Sequence, residues 1–293
     1  ELYDPEAMAR TIVRKKYNHA AVTPIVWEKI LRNPNFENVD LSFLIAPTSG
    51  ADSMSPRLEM DINNFFETNN CSWKICQGYG MTEVGSAIAV CSSNIIYKLG
   101  SVGAPLPNTI ISIFDVDSDK ELVTGEIGEI CVCGPSVMLE YYNNQDATHE
   151  IIRLHEDGKK WLHTGDVGKI DEDGNLFITG RIKRMITRYD GFKVFPAAVE
   201  EKILMHPAID KCSVVGQKDP RSEGGQLPVA YVVLKEKEID GNKVIQEMEH
   251  TYMTLLPEYS RPIHFYIKED LPLTGACKIN YCELERQANE RGV

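Results

Sequence analysis

No CxxC pair occurs among the eight cysteines; the close ones are Cys71 with Cys76 and Cys131 with Cys133. No His-x-x-x-His pair supplies zinc spacing either, so the thiols are expected to be reduced and buried, as in a cytoplasmic protein. No run of 18 apolar residues exists, which excludes a membrane-spanning helix. The first ten residues lack the basic-then-apolar pattern of a signal peptide. A basic excess is missing as well. The net charge is −12, which argues against a nucleic-acid partner. The deficit lies in residues 1–183, with 26 acidic and 16 basic side chains, whereas residues 184–293 carry 17 and 15. An anionic substrate would therefore have to be met by a few placed cations, backbone amides and a metal. Internal repeats and low-complexity tracts are absent.

What is present is the texture of a globular α/β protein, 43% hydrophobic and 25% charged over 293 residues. Residues 8–31 alternate helical and strand patterning, with a short apolar strand at 20–22 and helical spacing after Pro24. The run 41–46 reads as a buried strand halted by Pro47, 56–66 as a helix, and 73–77 as a strand. This alternation predicts a mostly parallel α/β sheet. From 100 to 180 short β-runs (110–114, 129–133, 169–170, 176–179) separated by Gly, Pro, Asn and Asp predict a small antiparallel, barrel-like subdomain. Asp173-Gly174 is a hairpin signal within it. Beyond Arg184 a second α+β unit is expected: helices at 197–204 and 244–255, strands at 211–215 and 229–235. The polar stretch 181–184 marks the junction, giving a large-domain portion 1–182 (1–99 α/β, 100–182 β-rich) and a small C-terminal domain 183–293.

Two clusters carry chemistry. Gly78-Tyr79-Gly80-Met81-Thr82-Glu83 follows a strand. Its glycines allow close backbone approach to a ligand, Tyr79 offers a flat face for a base, and Thr82 with Glu83 suits phosphate and Mg²⁺. The same residues also suit a plain strand-to-helix turn. Thr164-Gly165-Asp166 is followed fifteen residues later by Arg181. A carboxylate can accept from both hydroxyls of a ribose, and a guanidinium can reach sugar or phosphate oxygens. Separately, Asp166 also reads as a turn residue, Arg181 as a surface cation, and His163 as a satisfied core or surface histidine.

In this order the pieces resemble the adenylate-forming superfamily of acyl-CoA synthetases, peptide-synthetase adenylation domains and luciferases. The matching motifs are Tyr79 to Glu83, Gly100-Ser101-Val102-Gly103-Ala104-Pro105-Leu106-Pro107, Thr164-Gly165-Asp166 with Gly180-Arg181, and the pattern from Arg181 to Glu200 that contains Gly191, Val194, Pro196 and Val199. Leu256-Pro257-Glu258-Tyr259 and the run from Leu271 to Ile279 resemble the last two family motifs. The resemblance implies ATP-dependent activation of a carboxylic acid to acyl-AMP, then transfer to coenzyme A. It implies that Tyr79 stacks on adenine, with Gln77, Gly50, Ala51 and Gly80 around the ring. Thr82 would contact phosphate, Glu83 would hold Mg²⁺, Asp166 would bind the ribose with Arg181 nearby, and Ile178 would pack under the nucleoside. Lys183 would be the hinge, Gly191 would lie on the loop that admits coenzyme A, and Lys278 would be catalytic.

The sequence departs from the family in two places. The Ser/Thr/Gly-rich phosphate loop ending in Pro-Lys is absent, so the chain is expected to begin inside the large domain and to be incomplete as an enzyme. Cys277 stands where the family usually has glycine before the late lysine. The alternatives are an amino-acid adenylating enzyme that loads a carrier protein and a non-catalytic nucleotide-binding fragment. The absence of a carrier-like segment after Val293 favours coenzyme A. A homodimer is the quaternary alternative to a monomer.

Overall fold

The computed structural model describes residues 4–91, 96–222, 224–236, 238–274 and 279–291. It divides into two compact units, Glu1–Ile178 and Thr179–Val293.

In the first unit, helix α1 (Pro5–Lys15) opens on an Asp4 cap and a proline at its start, which needs no N–H there. Strand β1 (Ala21–Val22), helix α2 (Pro24–Leu31), β2 (Thr48–Ser49), α3 (Pro56–Thr68) and β3 (Cys76–Met81) follow. β4 (Ser86–Val90) and β5 (Ala104–Pro105) complete a sheet in the order β1-β2-β3-β4-β5. Its first three strands are parallel and its last three antiparallel, so the expected mostly parallel sheet is in fact mixed. Trp27, Ile30, Ile62, Phe66 and Ile75 form the core that α2 and α3 bury.

The run 41–46 is not a strand. Leu41 and Leu44 are buried from a turn, with Leu44 N–H donating to Leu41, and Ala46 adopts a left-handed φ of 48°. Backbone groups of Leu41 and Ile45 bond Asn69 and Asn18, so an irregular segment satisfies its buried amides without a ladder. The extended pairing begins only after Pro47, and β3 starts later than the strand expected over 73–77, running through the Gly78-Tyr79-Gly80 sequence.

The β-rich part of this unit contains β6 (Ile110–Phe114), β7 (Gly128–Cys133), helix α4 (Gln145–Ile151), β8 (Ile152–Leu154), β9 (Lys160–Ile170) and the start of β10 (Leu176–Arg181), which runs past the boundary at Ile178. The strand order is β10-β9-β7-β6, with β8 also on β9. The sheet is open, with β6 and β10 at its ends, so the barrel-like expectation resolves into a twisted antiparallel layer. Asp173 and Gly174 lie in the β9–β10 turn, where Gly174 takes a φ of 80°.

The second unit holds a small ribbon, β11 (Ile186–Thr187) with β12 (Lys193–Val194), then α5 (Pro196–Leu204), β13 (Ile209–Lys218), β14 (Gln226–Leu234), α6 (Gly241–Glu247), β15 (Phe265–Lys268) and α7 (Tyr281–Arg291). Its main sheet runs β13-β14-β15. The helix expected over 244–255 changes type: α6 passes into a π-turn at Met248–Tyr252 and a 3₁₀ turn at Met253–Leu255. Met248 and Met253, both buried, are five residues apart, and an i→i+5 turn is what keeps that spacing on one face.

Candidate active site

The first unit folds the two motif clusters onto each other. β3 carries Tyr79 between Gly78 and Gly80, and its pairing with β4 shifts register between Tyr79 and Gly80. β9 carries Thr164-Gly165-Asp166 at a second irregularity: Cys131 pairs His163 and Glu129 pairs Val167, so three β9 residues stand opposite Ile130. Such a bulge leaves its extra residues off the ladder and re-aims a side chain. Side chains hold it open. Thr164 Oγ1 donates to the Ile130 carbonyl, Asp166 N–H donates to Thr164 Oγ1, and Gly165 N–H donates to Glu129 Oε1 at 3.0 Å. Gly165 supplies the left-handed φ of 70° that the bulge requires.

The bulge brings Asp166 to Tyr79, 87 residues away in sequence. The Tyr79 hydroxyl donates to Asp166 Oδ2 at 2.7 Å, and both residues are buried. Ile178 packs on the same apolar cluster as Tyr79, with Val84, Ile88 and Leu176. The segment Ser49-Gly50-Ala51 approaches from the other side of β3: a side chain at Gly50 would meet the Gly78 carbonyl at 3.4 Å, and Ala51 is left-handed at φ 65°. Gln77 is buried, and its Nε2 donates to buried Glu59 at 2.7 Å.

Glu59 organises a support that the motif reading passed over. Its carboxylate also accepts from Gly100 N–H at 2.9 Å and from the Tyr97 hydroxyl, tying α3 to β3 and to the Gly100-to-Pro107 run. Burial and this bond raise the Tyr97 hydroxyl's pKa. From that run Ser101 Oγ and Val102 N–H donate to the Leu176 carbonyl, while Leu176 N–H donates to the Gly103 carbonyl, fixing where β10 begins. The signal was legible: Glu59 stands at helix spacing with Ile62 and Phe66, an acid on the apolar stripe of α3.

Thr82 and Glu83 follow β3 in a 3₁₀ turn, Thr82 exposed and Glu83 half-buried. Glu83 Oε1 accepts from the Tyr141 hydroxyl at 2.6 Å, and the Glu83 carbonyl accepts from Met138 N–H. Nothing in the sequence around Tyr141 flagged it. The bond to Glu83, with some burial, pushes the Tyr141 hydroxyl up to about 12 from 10.0. A raised folded-state pKa means that the unfolded chain loses this proton first. This contribution to stability is complete below the ordinary tyrosine value and lost as pH rises through the folded one. In an ultraviolet titration, Tyr141→Phe should remove one tyrosine from the late-ionising fraction seen between 10.0 and about 12.

The remaining expected residues belong to the second unit. Arg181 ends β10 and is exposed, Lys183 lies in the following 3₁₀ turn, and Gly191 sits left-handed (φ 82°) in the turn joining β11 and β12. Among the described residues nothing beyond its chain neighbours lies within 4 Å of a side chain placed at Gly191, so the turn's backbone conformation already accounts for glycine there. Lys278 lies outside the described residues.

Among the described residues no helix is long and apolar enough to cross a membrane. Residues 1–142 match the family model of the AMP-binding enzyme, and residues 198–278 match that of the AMP-binding enzyme C-terminal domain. The chain is 37% identical to a probable 4-coumarate–CoA ligase 1 of Dictyostelium discoideum over 85% of its length and 43% of the relative's. It is 36% identical to 4-coumarate–CoA ligase 1 of Glycine max over 79% of its length and 77% of the relative's. A long-chain-fatty-acid–CoA ligase of Salmonella typhimurium is 33% identical over 93% of this chain and 46% of the relative. Thus the chain spans about half the length of several relatives it matches. Among solved structures, the anthranilate CoA ligase AuaEII in complex with anthranoyl-AMP superposes with a TM-score of 0.81 at 26% identity, over 98% of this chain and 53% of that one. ATP-bound MatB from Rhodopseudomonas palustris gives 0.83 at 25% identity, over 97% and 53%.

Proposed function

Because the chain belongs to the AMP-binding enzyme family, we propose that the protein activates a carboxylic acid with ATP and passes the acyl group to coenzyme A. The observation that carries this reading is the Tyr79–Asp166 hydrogen bond, which joins an aromatic face and a carboxylate in one buried place at the ends of two motifs. A base can lie against the ring while the ribose hydroxyls donate to the carboxylate. CoA-ligase relatives at 33–37% identity support the thioester product over a carrier-protein product.

In the first half-reaction the substrate carboxylate attacks the α-phosphorus of ATP, forming acyl-AMP and releasing pyrophosphate. In the second, a thiol attacks the acyl carbonyl and AMP leaves. The protein's part is positioning and stabilisation of charge on phosphate oxygens. Tyr79, Ile178 and the segment at Gly50 and Ala51 hold the nucleoside, and Asp166 fixes the ribose. Thr82 donates to phosphate. Glu83 is a hard oxygen donor, and Tyr141 bonds only one of its oxygens; that set fits Mg²⁺, which would neutralise phosphate charge when bound. Gln77 would reach the adenine only by leaving Glu59, so in this reading it is a support for the loop. Arg181, Lys183 and Gly191 are assigned to sugar contact, hinge and coenzyme A access.

Acid-dependent exchange of pyrophosphate into ATP by the complete gene product, over a panel of aromatic and fatty acids, tests the reading; exchange with none of them would overturn it. Asp166→Ala should weaken AMP binding at least tenfold, since each hydrogen bond to a charged group contributes about 1.5–3 kcal/mol. Unchanged AMP affinity in a variant of unchanged melting temperature would reduce Asp166 to a structural acceptor for Tyr79.

A further inference from the structure

The proposed reaction leaves unused a buried polar cluster on the opposite flank of the β9 bulge. His163 on β9 and His155 in the turn after β8 face each other with their Nε2 atoms 2.9 Å apart. His163 is 4% exposed and His155 9%. The Nδ1 of His163 stands 2.8 Å from Glu129 Oε2. A carboxylate only accepts, which assigns the His163 proton to Nδ1 and turns the lone pair of Nε2 toward His155. Asp119, on the exposed segment between β6 and β7, brings Oδ1 to 3.9 Å from the same Nε2. One ligand atom from each of Asp119, His155 and His163 lies within 4.8 Å of the others.

We propose that Asp119, His155 and His163 form a binding site for a borderline transition-metal dication such as Zn²⁺ or Co²⁺, separate from the nucleotide site. Two imidazoles and a carboxylate select such ions over Mg²⁺ or Ca²⁺, which want oxygen ligands only. A carboxylate behind the far nitrogen of a ligating histidine fixes its tautomer and raises its basicity, and Glu129 does this for His163. Metal–nitrogen bonds of about 2.0–2.1 Å in a tetrahedral site hold the two nitrogens about 3.3 Å apart, so the pair must open by about 0.4 Å. His155 can yield that much: its Nδ1 has no hydrogen-bond partner among the described residues, and its ring rests edge-on against Phe114 at 4.7 Å. The competing cation is Arg153, 3.4 Å from Asp119. Both are about half exposed, and such pairs contribute only about 0–1 kcal/mol. A neighbouring trio, Glu129, Cys131 and His163, is the poorer set. Both Glu129 oxygens are already engaged there, by Gly165 and His163, and all three residues are buried.

Co²⁺ titrated into the 293-residue chain in excess Mg²⁺, with no nucleotide, reads the site through its visible d–d absorption. Saturation at one equivalent is expected. His155→Gln should abolish the saturable band, and Asp119→Asn, at an exposed position that cannot threaten the fold, should weaken binding. Glu129→Gln should lower the affinity by about 10–100-fold, as loss of a carboxylate behind a histidine ligand does. The proposal is overturned if wild-type chain shows no saturable band, or if His155→Gln and Asp119→Asn titrate like wild type. It is equally overturned if a near-ultraviolet sulfur-to-cobalt band appears that Cys131→Ser removes, because the metal would then occupy the other trio.

Discussion

Gly80→Ala is expected to destabilise the first unit by about 3 kcal/mol or more, the upper range for forcing atoms into a filled space. A methyl group at Gly80 would overlap the Ser86 carbonyl oxygen and stand 2.6 Å from the Ala87 Cα. Both are backbone atoms of the paired strand β4, which no rotamer change can move. The register shift between Tyr79 and Gly80 creates this close approach, and it also sets where Tyr79 meets Asp166. The substitution should therefore lower nucleotide affinity as well as the urea midpoint. Gly85→Ala is the control. Gly85 is left-handed at φ 75°, but an added methyl group there would meet nothing within 4 Å among the described residues beyond its chain neighbours, so only the backbone penalty of about 1–2 kcal/mol applies. Equal midpoints for the two variants would show that β3 and β4 do not approach as described.

Tyr79 and Asp166, which the structure joins, were legible as candidates because the proposed chemistry calls for their types. A base needs a flat face, a ribose needs an acceptor, and Tyr79 and Asp166 stand in sequence contexts that pair those needs with glycines. Helices and antiparallel runs were legible from period and turn chemistry: α2, α3, α5 and β6 lie where the patterning put them. What escaped was set by pairing across long separations. That Thr164-Gly165-Asp166 forms a bulge depends on Glu129 and Ile130 of β7, some 35 residues upstream. The apolar run 41–46 satisfied a strand pattern, yet its amides found Asn69 and Asn18 instead of a neighbouring strand. The histidines show the same limit. His155 and His163 are eight residues apart, a spacing that matches no short ligand motif, and the β8–β9 hairpin turns their rings together.

Lys278→Ala carries the largest expected effect on the proposed chemistry: acyl-AMP formation should fall about 10²–10³-fold, the usual cost of deleting one charge-stabilising donor. Lys278 follows Leu271-Pro272-Leu273-Thr274 in the sequence, and the segment's flanks are anchored. Leu273 and Ile279 form an antiparallel bridge, and Asn280 N–H donates to the Pro272 carbonyl at 2.8 Å. In the catalytic role that the family resemblance implies for it, the ammonium of Lys278 would meet the substrate carboxylate and the α-phosphate as negative charge accumulates between them. When a thiol attacks the finished mixed anhydride no bond is made or broken at phosphorus: the electron pair passes through the acyl carbonyl oxygen to the departing AMP, and in this reading Lys278 has no task in that step. Thioester formation from supplied acyl-AMP and coenzyme A should then stay within a few-fold of wild type in Lys278→Ala, while pyrophosphate exchange collapses. Gly191→Trp, which crowds the turn assigned to coenzyme A access, should give the reverse pattern. Lys278→Arg separates charge from shape: it keeps the cation but spreads it over a planar fork, and should recover only part of the exchange rate. Equal losses in both half-reactions for Lys278→Ala would mean that the lysine supports the fold of the second unit, not the first chemical step.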